Sequence, residues 1–349
     1  MKKRLLYTYL NPSSFVLKDI EILEEEFDLS LHRFDVRSKY KLPFAFLKQI
    51  FFLIRNIRKQ EIVIVQFAGY QSALPVLWAR LFRKKSILVL GGTDCVYLPS
   101  INYGNFSKGF LAKCTSYSLK KATLLLPVSQ TLVETDYDYQ SDDFKKQGYK
   151  AFVKGDTAAY KVIHNGFKID QWQPAEKEKN SFVTVAADLQ TRFGIKLKGI
   201  DLILEIAPSL PDCQFYIVGG KNTILETPSN VHLIETMPNN KLPHFIATKE
   251  YYLQLSMSEG FPNALCEAML CGCIPIVSAV GAMPEIVSDK GFILFKKDTN
   301  TLLNLIRSAK SMENHAMMAA ESRDRIVTSY SFEKRKTTLL RVVHQLFLD

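Results

Sequence analysis

Short apolar runs with strand character alternate with helical stretches along the whole chain, and this alternation limits the possible folds more than any other feature. In the first half the strand-like runs fall at 4–10, 29–36, 62–66, 86–90 and 122–128. Between them, residues 43–59, 72–82 and 107–121 place apolar side chains at helical spacing. A strand, helix, strand rhythm of this kind predicts an open parallel sheet with helices on both faces. The second half repeats it, with strands expected at 182–187, 214–218, 231–235, 251–255, 274–277 and 292–295 and helices near 199–207, 241–247 and 263–271. The expected fold is α/β, built from two Rossmann-like units. The chain's 349 residues, 47% of them apolar, suffice for two cores. The join is expected across 166–180, a polar stretch where periodicity lapses, giving a first domain of 1–165, a second of 181–330 and a C-terminal helix over 331–349 capped by Ser331.

Several function classes are disfavoured. No window approaches the roughly 18 to 20 apolar residues of a membrane-spanning helix. The basic start Met1-Lys2-Lys3-Arg4 is followed by an apolar run that ends at Asn11-Pro12, too short for a signal peptide, so a first strand is expected there. Six cysteines without paired ligand spacing suit a reducing cytoplasm, and the C-x-C at Cys271 and Cys273 is a weak metal signal. The six histidines show no ligand spacing and read as structural, His164 beside the expected join included. No dinucleotide or P-loop fingerprint follows the first strand. A D-x-D at Asp136-Tyr137-Asp138, with Asp142 and Asp143 behind it, lies in an acidic loop and gives no firm metal site; no metal or cofactor is expected. The net charge of +10 is spread through the sequence, which argues against a nucleic-acid partner. The stretch 37–59 is both basic and apolar, so it suits either an anionic membrane surface or a core-packing helix with solvated lysines.

The most informative stretch runs from Ser256 to Glu285, SMSEGFPNALCEAMLCGCIPIVSAVGAMPE. If Asn263 caps the helix that follows, Ala264, Leu265 and Cys266 occupy its first three positions, where free amides and the helix dipole favour a phosphate. Leu265, Ala268, Met269 and Gly272 form one packing stripe, and Glu267 points away from it, toward a cleft or solvent. A carboxylate retained on an apolar helix fits a polyhydroxyl ligand; the alternative is a solvated helix face.

Glu259 and Glu267, with the seven residues GFPNALC between them and followed by AMLCGCIPIVS and GAMPEIV, resemble the signature of retaining nucleotide-sugar glycosyltransferases of the GT-B fold, the family-four or group 1 type. The resemblance implies two Rossmann-like domains facing across a cleft, with the C-terminal helix crossing back to the first. It implies that Glu267 binds the donor ribose, that Glu259 contacts the transferred sugar, and that the diphosphate lies on the amides that follow, past Phe261 to Asn263, Ala264 and Leu265. Pro262, where many relatives have glycine or leucine, has no N–H to offer.

A departing diphosphate needs cations beside it. Lys198 and Arg192, after the first strand of the second domain, match the family's lysine and arginine, with Lys196 as a substitute for the latter. On the acceptor side, Ser13 and Ser14 follow the first strand, without the family's usual glycine pair. Gly91-Gly92-Thr93-Asp94 follows the fourth strand. Asp94 is either the group that orients or deprotonates an acceptor hydroxyl or a turn residue bonding to its own backbone, and Ser129 either the family's strand-end serine or an N-cap. The expected activity is retaining, metal-independent hexosyl transfer from a UDP- or GDP-linked sugar to a glycan or lipid-linked acceptor, in bacterial-type surface polysaccharide or lipopolysaccharide synthesis, in the cytoplasm or at the membrane's inner face. The alternatives are an epimerase or phosphorylase on the same fold, or a noncatalytic sugar-nucleotide or glycan-binding protein.

Overall fold

A computed structural model describes residues 2–35, 39–186, 189–191, 193–221, 226–238 and 240–348. The first sheet begins with β1 (Arg4–Tyr9), α1 (Ser14–Glu24), β2 (Asp28–Arg33), α2 (Leu42–Asn56), β3 (Ile62–Gln66), α3 (Tyr70–Leu81) and β4 (Lys85–Leu90). Then come α4 (Gly109–Lys121), β5 (Leu124–Pro127), a small antiparallel hairpin of β6 (Thr135–Asp136) and β7 (Lys146–Gln147), and the edge strand β8 (Ala159–Tyr160). The strands of this sheet are all parallel, in the order β2-β1-β3-β4-β5-β8. Every residue of β3 is buried, as a central parallel strand covered on both faces requires, which is why it is apolar from Ile62 to Val65 before ending in Gln66.

The second sheet is formed by β9 (Glu178–Val185), β10 (Gln214–Val218), β11 (Val231–Ile234), β12 (Lys249–Gln254), β13 (Ile274–Ser278) and β14 (Phe292–Leu294). Their order, β11-β10-β9-β12-β13-β14 and again parallel, is the 3-2-1-4-5-6 arrangement of nucleotide-binding sheets, whereas the first sheet has the 2-1-3-4-5 order of the flavodoxin type. Around it lie α5 (Gly194–Leu197), α6 (Ile200–Ile206), α7 (Leu242–Ala247), α8 (Asn263–Leu270), α9 (Met283–Val287), α10 (Thr299–Ser311) and α11 (His315–Ser329). In both sheets the strand order reverses beside the first strand, so the crevices outside the carboxyl ends at those points are where ligands collect.

The last helix, α12 (Phe332–Leu348), returns to the first domain. Its start is fixed at the join: Phe167 N–H donates to Tyr330 O at 3.0 Å, Phe332 N–H to Phe167 O at 3.0 Å, and Ser331 Oγ accepts from Lys334 N–H at 3.4 Å. Arg335 then reaches α1, donating to both oxygens of buried Asp19 at 2.7 Å and to the carbonyls of Ile163 and His164 at 3.1 and 2.8 Å. Farther along, His344 and Phe347 pack on Phe27. Among the described residues no helix is long and apolar enough to cross a membrane.

The domains touch across the cleft. Tyr137 and Tyr139, between the strands of the small hairpin, donate to the carbonyls of Met257 and Leu255 at 3.0 and 3.4 Å, and the Tyr103 ring lies 5.2 Å from that of Phe193. The D-x-D carboxylates point the other way: Asp136 pairs with Lys146 and Asp138 with Lys145, both exposed on the same hairpin. Among the described residues no cluster of His, Cys, Asp or Glu could hold a metal ion.

Candidate functional site

β12 ends in Gln254, and the chain beyond it turns beneath the loop that follows β9. Met257 N–H donates to Leu197 O at 2.8 Å, and Gly199, at φ +68°, lies so close to the Leu255 carbonyl that a Cβ there would overlap it. Only glycine takes this left-handed, close-packed position without strain. The clamp sets Lys198 Nζ 2.7 Å from Glu259 Oε1. The same oxygen accepts from Ser256 Oγ at 2.9 Å and Gln254 Nε2 at 3.1 Å. Sequence reading misses both of these polar partners; Gln254 is itself held by Tyr252 OH at 3.1 Å, and Ser256 by Ser278 through its carbonyl at 2.6 Å.

Lys198 and Glu259 face a cavity of about 470 Å³ at the carboxyl ends of β1, β3 and β4. Its first-domain wall includes Phe67 to Gln71 and Gly91 to Asp94, so Gly92 and Asp94 join Lys198 and Glu259 in one space. The domains nearly touch here: a Cβ on Gly260 would overlap the Gly91 carbonyl oxygen, and one on Gly92 would come within 3.4 Å of Gly260 N. Asp94 is 2% exposed, and its oxygens accept from the amides of Ala68, Gly91 and Gly92 at 3.0, 3.2 and 2.9 Å. Burial raises its pKa and these amides lower it, the net shift being upward. Its observed partners are thus those of the turn residue. Ser129 likewise caps a short helical turn, accepting from Thr131 N–H at 3.2 Å.

A second group of residues lies at the start of α8. Asn263 is the first helical residue and not its cap; Pro262 occupies the cap position in an extended conformation, and Asn263 Oδ1 is taken by Asn165 Nδ2 at 2.9 Å. The three leading amides are therefore those of Asn263, Ala264 and Leu265, one residue earlier than expected. The Leu265 side chain is fully buried, and Phe261 packs among His164, Phe167 and Tyr330, so what these two offer a ligand is backbone. Asn165, 7% exposed, leaves its Oδ1 without a partner among the described residues.

The carboxylate of Glu267, one turn on, has no hydrogen-bond partner among the described residues. Burial pushes its pKa up to about 7, opposed by Lys18. Lys18 belongs to α1, donates to Gly166 O at 3.1 Å and lies 4.8 Å over the Phe167 ring; no motif signals it in the sequence. Of the other expected residues, Ser13 and Ser14 stand at the start of α1 and do not line the cavity, and Arg192 lies outside the described residues.

Two doubly wound domains meeting across one cleft define the GT-B fold class. Residues 168–326 match the model of the family described as glycosyl transferases group 1. That match covers the second domain, a little under half of the chain's 349 residues. Sucrose-phosphate synthase from Thermosynechococcus elongatus superposes with a TM-score of 0.75 at 13% identity, covering 99% of this chain and 100% of that one. Anabaena HepE in complex with UDP-glucose gives 0.71 at 13% identity, over 98% and 99%. In sequence, the Bacillus anthracis N-acetyl-alpha-D-glucosaminyl L-malate synthase is 29% identical over 72% of this chain and 65% of its own. The Schizosaccharomyces pombe phosphatidylinositol N-acetylglucosaminyltransferase gpi3 protein is 26% identical over 36% of this chain, a match spanning 30% of that relative.

Proposed function

We propose that the protein transfers a sugar from a nucleotide-diphosphate donor to the hydroxyl of a glycan or lipid-linked acceptor, with retention at the anomeric carbon. The observation that carries this reading is the pairing of a partnerless, half-buried Glu267 beside three free helix amides with a Lys198–Glu259 pair in the adjoining cavity. Glu267 would accept the ribose hydroxyls, which supply the donors its carboxylate lacks among the described residues. The amides of Asn263, Ala264 and Leu265 would receive the diphosphate at the positive end of α8. Lys198, with Arg192 as second cation, would stabilise the charge that builds on the departing diphosphate. Glu259 would hold hydroxyls of the transferred sugar, its orientation fixed by Gln254 and Ser256.

In the transfer the bond from anomeric carbon to diphosphate oxygen breaks and one to the acceptor oxygen forms. Retention requires the acceptor to enter on the face from which the diphosphate leaves, which sets its hydroxyl beside a phosphate oxygen able to take the proton. Asp94, saturated by amides, would then shape the Gly91–Gly92 loop and leave the proton to the phosphate. Ser13 and Ser14 would border the acceptor approach from α1. The name of the Schizosaccharomyces pombe relative, which includes a phospholipid, supports a lipid-linked acceptor; we assign the reaction to surface-polysaccharide or lipopolysaccharide assembly, independent of metal.

The test is to supply labelled nucleotide sugars with lipid-linked and glycan acceptors, with and without chelator, and to follow the label. Label on the acceptor, with the anomeric configuration kept, supports the reading. A rearranged nucleotide sugar identifies an epimerase, and no turnover despite tight nucleotide binding identifies a binding protein.

A further inference from the structure

We propose that the outer face of α2 is a docking surface for an anionic lipid bilayer, which brings the cavity mouth to the membrane. Tyr40, Phe44, Leu47, Phe51 and Ile54 are all exposed, Phe44 and Phe51 by 65% and 61%. Phe44, Leu47, Phe51 and Ile54, at spacings of three, four and three residues, lie along one side of the helix, and Tyr40 stands in the turn before it. The opposite side, with Ala45, Gln49 and Leu53, is buried against the domain. A helix apolar on both sides has a second partner to cover. α3, which packs beside it, also carries exposed Leu77 and Leu81.

Charge selects the partner. Lys41, Lys48, Arg55 and Lys59 are exposed around the stripe, and none of their side chains has an ion pair or hydrogen bond among the described residues. From residue 36 to residue 60 the sequence has no Asp or Glu. A second copy of the chain seated on this face would bring like charges together, whereas an anionic headgroup layer supplies the counter-charges, beneath which the aromatic and aliphatic side chains are immersed. The patch also shares a wall with the cleft: Phe46 of α2 lies 6.4 Å edge-on to Tyr70, which lines the cavity and is 5.7 Å from the exposed ring of Phe110. A lipid-linked acceptor could thus reach the cavity along aromatic rings without leaving the interface. The route for the acceptor rests on the function proposed above; the docking itself rests on the surface alone.

The experiment is flotation of the full chain with vesicles of phosphatidylcholine, with and without about 30% phosphatidylglycerol, at low and raised ionic strength. The wild-type chain binds the anionic vesicles at least about tenfold more tightly than the neutral ones, and salt weakens it. The double variant Phe44→Ser, Phe51→Ser loses about tenfold or more, and Lys48→Glu, Arg55→Glu loses the preference for anionic lipid. Both pairs are exposed, so the melting temperature and any nucleotide-induced shift stay as in the wild type. Equal binding by wild type and the double variant, no preference for anionic vesicles, or a wild-type dimer that the Phe substitutions dissociate overturns the proposal. Nucleotide binding retained in the same samples shows that docking, and not the reading of the cleft, has failed.

Discussion

Lys198 Nζ stands 2.7 Å from Glu259 Oε1, joining the cation that ends the loop after β9 to the acid that follows β12. Both are mostly buried, with side-chain exposures of 25% and 15%. Replacing Lys198 by Met keeps the stem and removes the charge, while Glu259 keeps Gln254 and Ser256. Turnover should fall by about 10²- to 10³-fold with little change in melting temperature, and Lys198→Arg should recover part of it. Steady-state kinetics check this; a Met variant within twofold of wild type contradicts the role.

Glu267 predicts a pH dependence. An unfolded glutamate titrates near 4.5 and this one near 7, because burial outweighs Lys18. The sign follows from linkage: its contribution to stability is fully present below about pH 4.5 and is lost as pH rises to about 7. Hydroxyl donors favour the carboxylate, so nucleotide binding should release a proton near neutral pH and strengthen up to about pH 7. Calorimetry in buffers of different ionisation enthalpy measures that proton. Glu267→Gln should abolish both the release and the pH dependence of affinity, and an unchanged proton count would remove Glu267 from the binding step.

Gly260 sits where the domains nearly touch, its Cα facing the Gly91 carbonyl. Gly260→Ala inserts a methyl into that contact and should cost about 1–3 kcal/mol in the closed arrangement. Activity should fall much more than thermal stability, since the two domains can part without unfolding. Small-angle scattering should show a larger radius of gyration for the variant, and identical scattering with full activity would count against closure at this point.

Asp19 and Arg335 are 316 residues apart in sequence, yet form a two-armed buried pair that ties α12 to α1. Asp19→Ala leaves a buried guanidinium without its counter-charge, and about 3–5 kcal/mol of stability should be lost. Urea titration measures this directly; a loss under 1 kcal/mol would mean that the carbonyls of Ile163 and His164 suffice.

The two sheets are legible in the sequence because buried strands carry apolar runs such as those at 62–65 and 274–277. α1 is not: its inward face carries Asp19, which reads as a surface charge until Arg335 arrives from the other end of the chain. The small hairpin reads as an acidic loop because Tyr137 and Tyr139, which bridge the domains, are interleaved with its aspartates. In the site, motif spacing locates Glu259, Glu267 and Lys198. It cannot show that Gln254 and Ser256 turn toward Glu259, which depends on how β12 ends, or that Lys18 approaches Glu267 from another domain. The start of α8 lies one residue earlier than the pattern suggests because Pro262 is extended and Asn263 spends its side chain on Asn165.

The whole functional reading depends on a nucleotide diphosphate being held at α8 by Glu267, and the decisive experiment is a thermal-shift panel of nucleotide diphosphates and their sugars. A ligand that binds only the folded chain raises the melting temperature. One nucleotide of the panel should do so, and in Glu267→Ala, whose own melting temperature should be no lower, the shift should disappear. If no nucleotide moves the wild-type transition, or the Ala variant responds as the wild type does, Glu267 does not hold a donor and the proposed function fails with it.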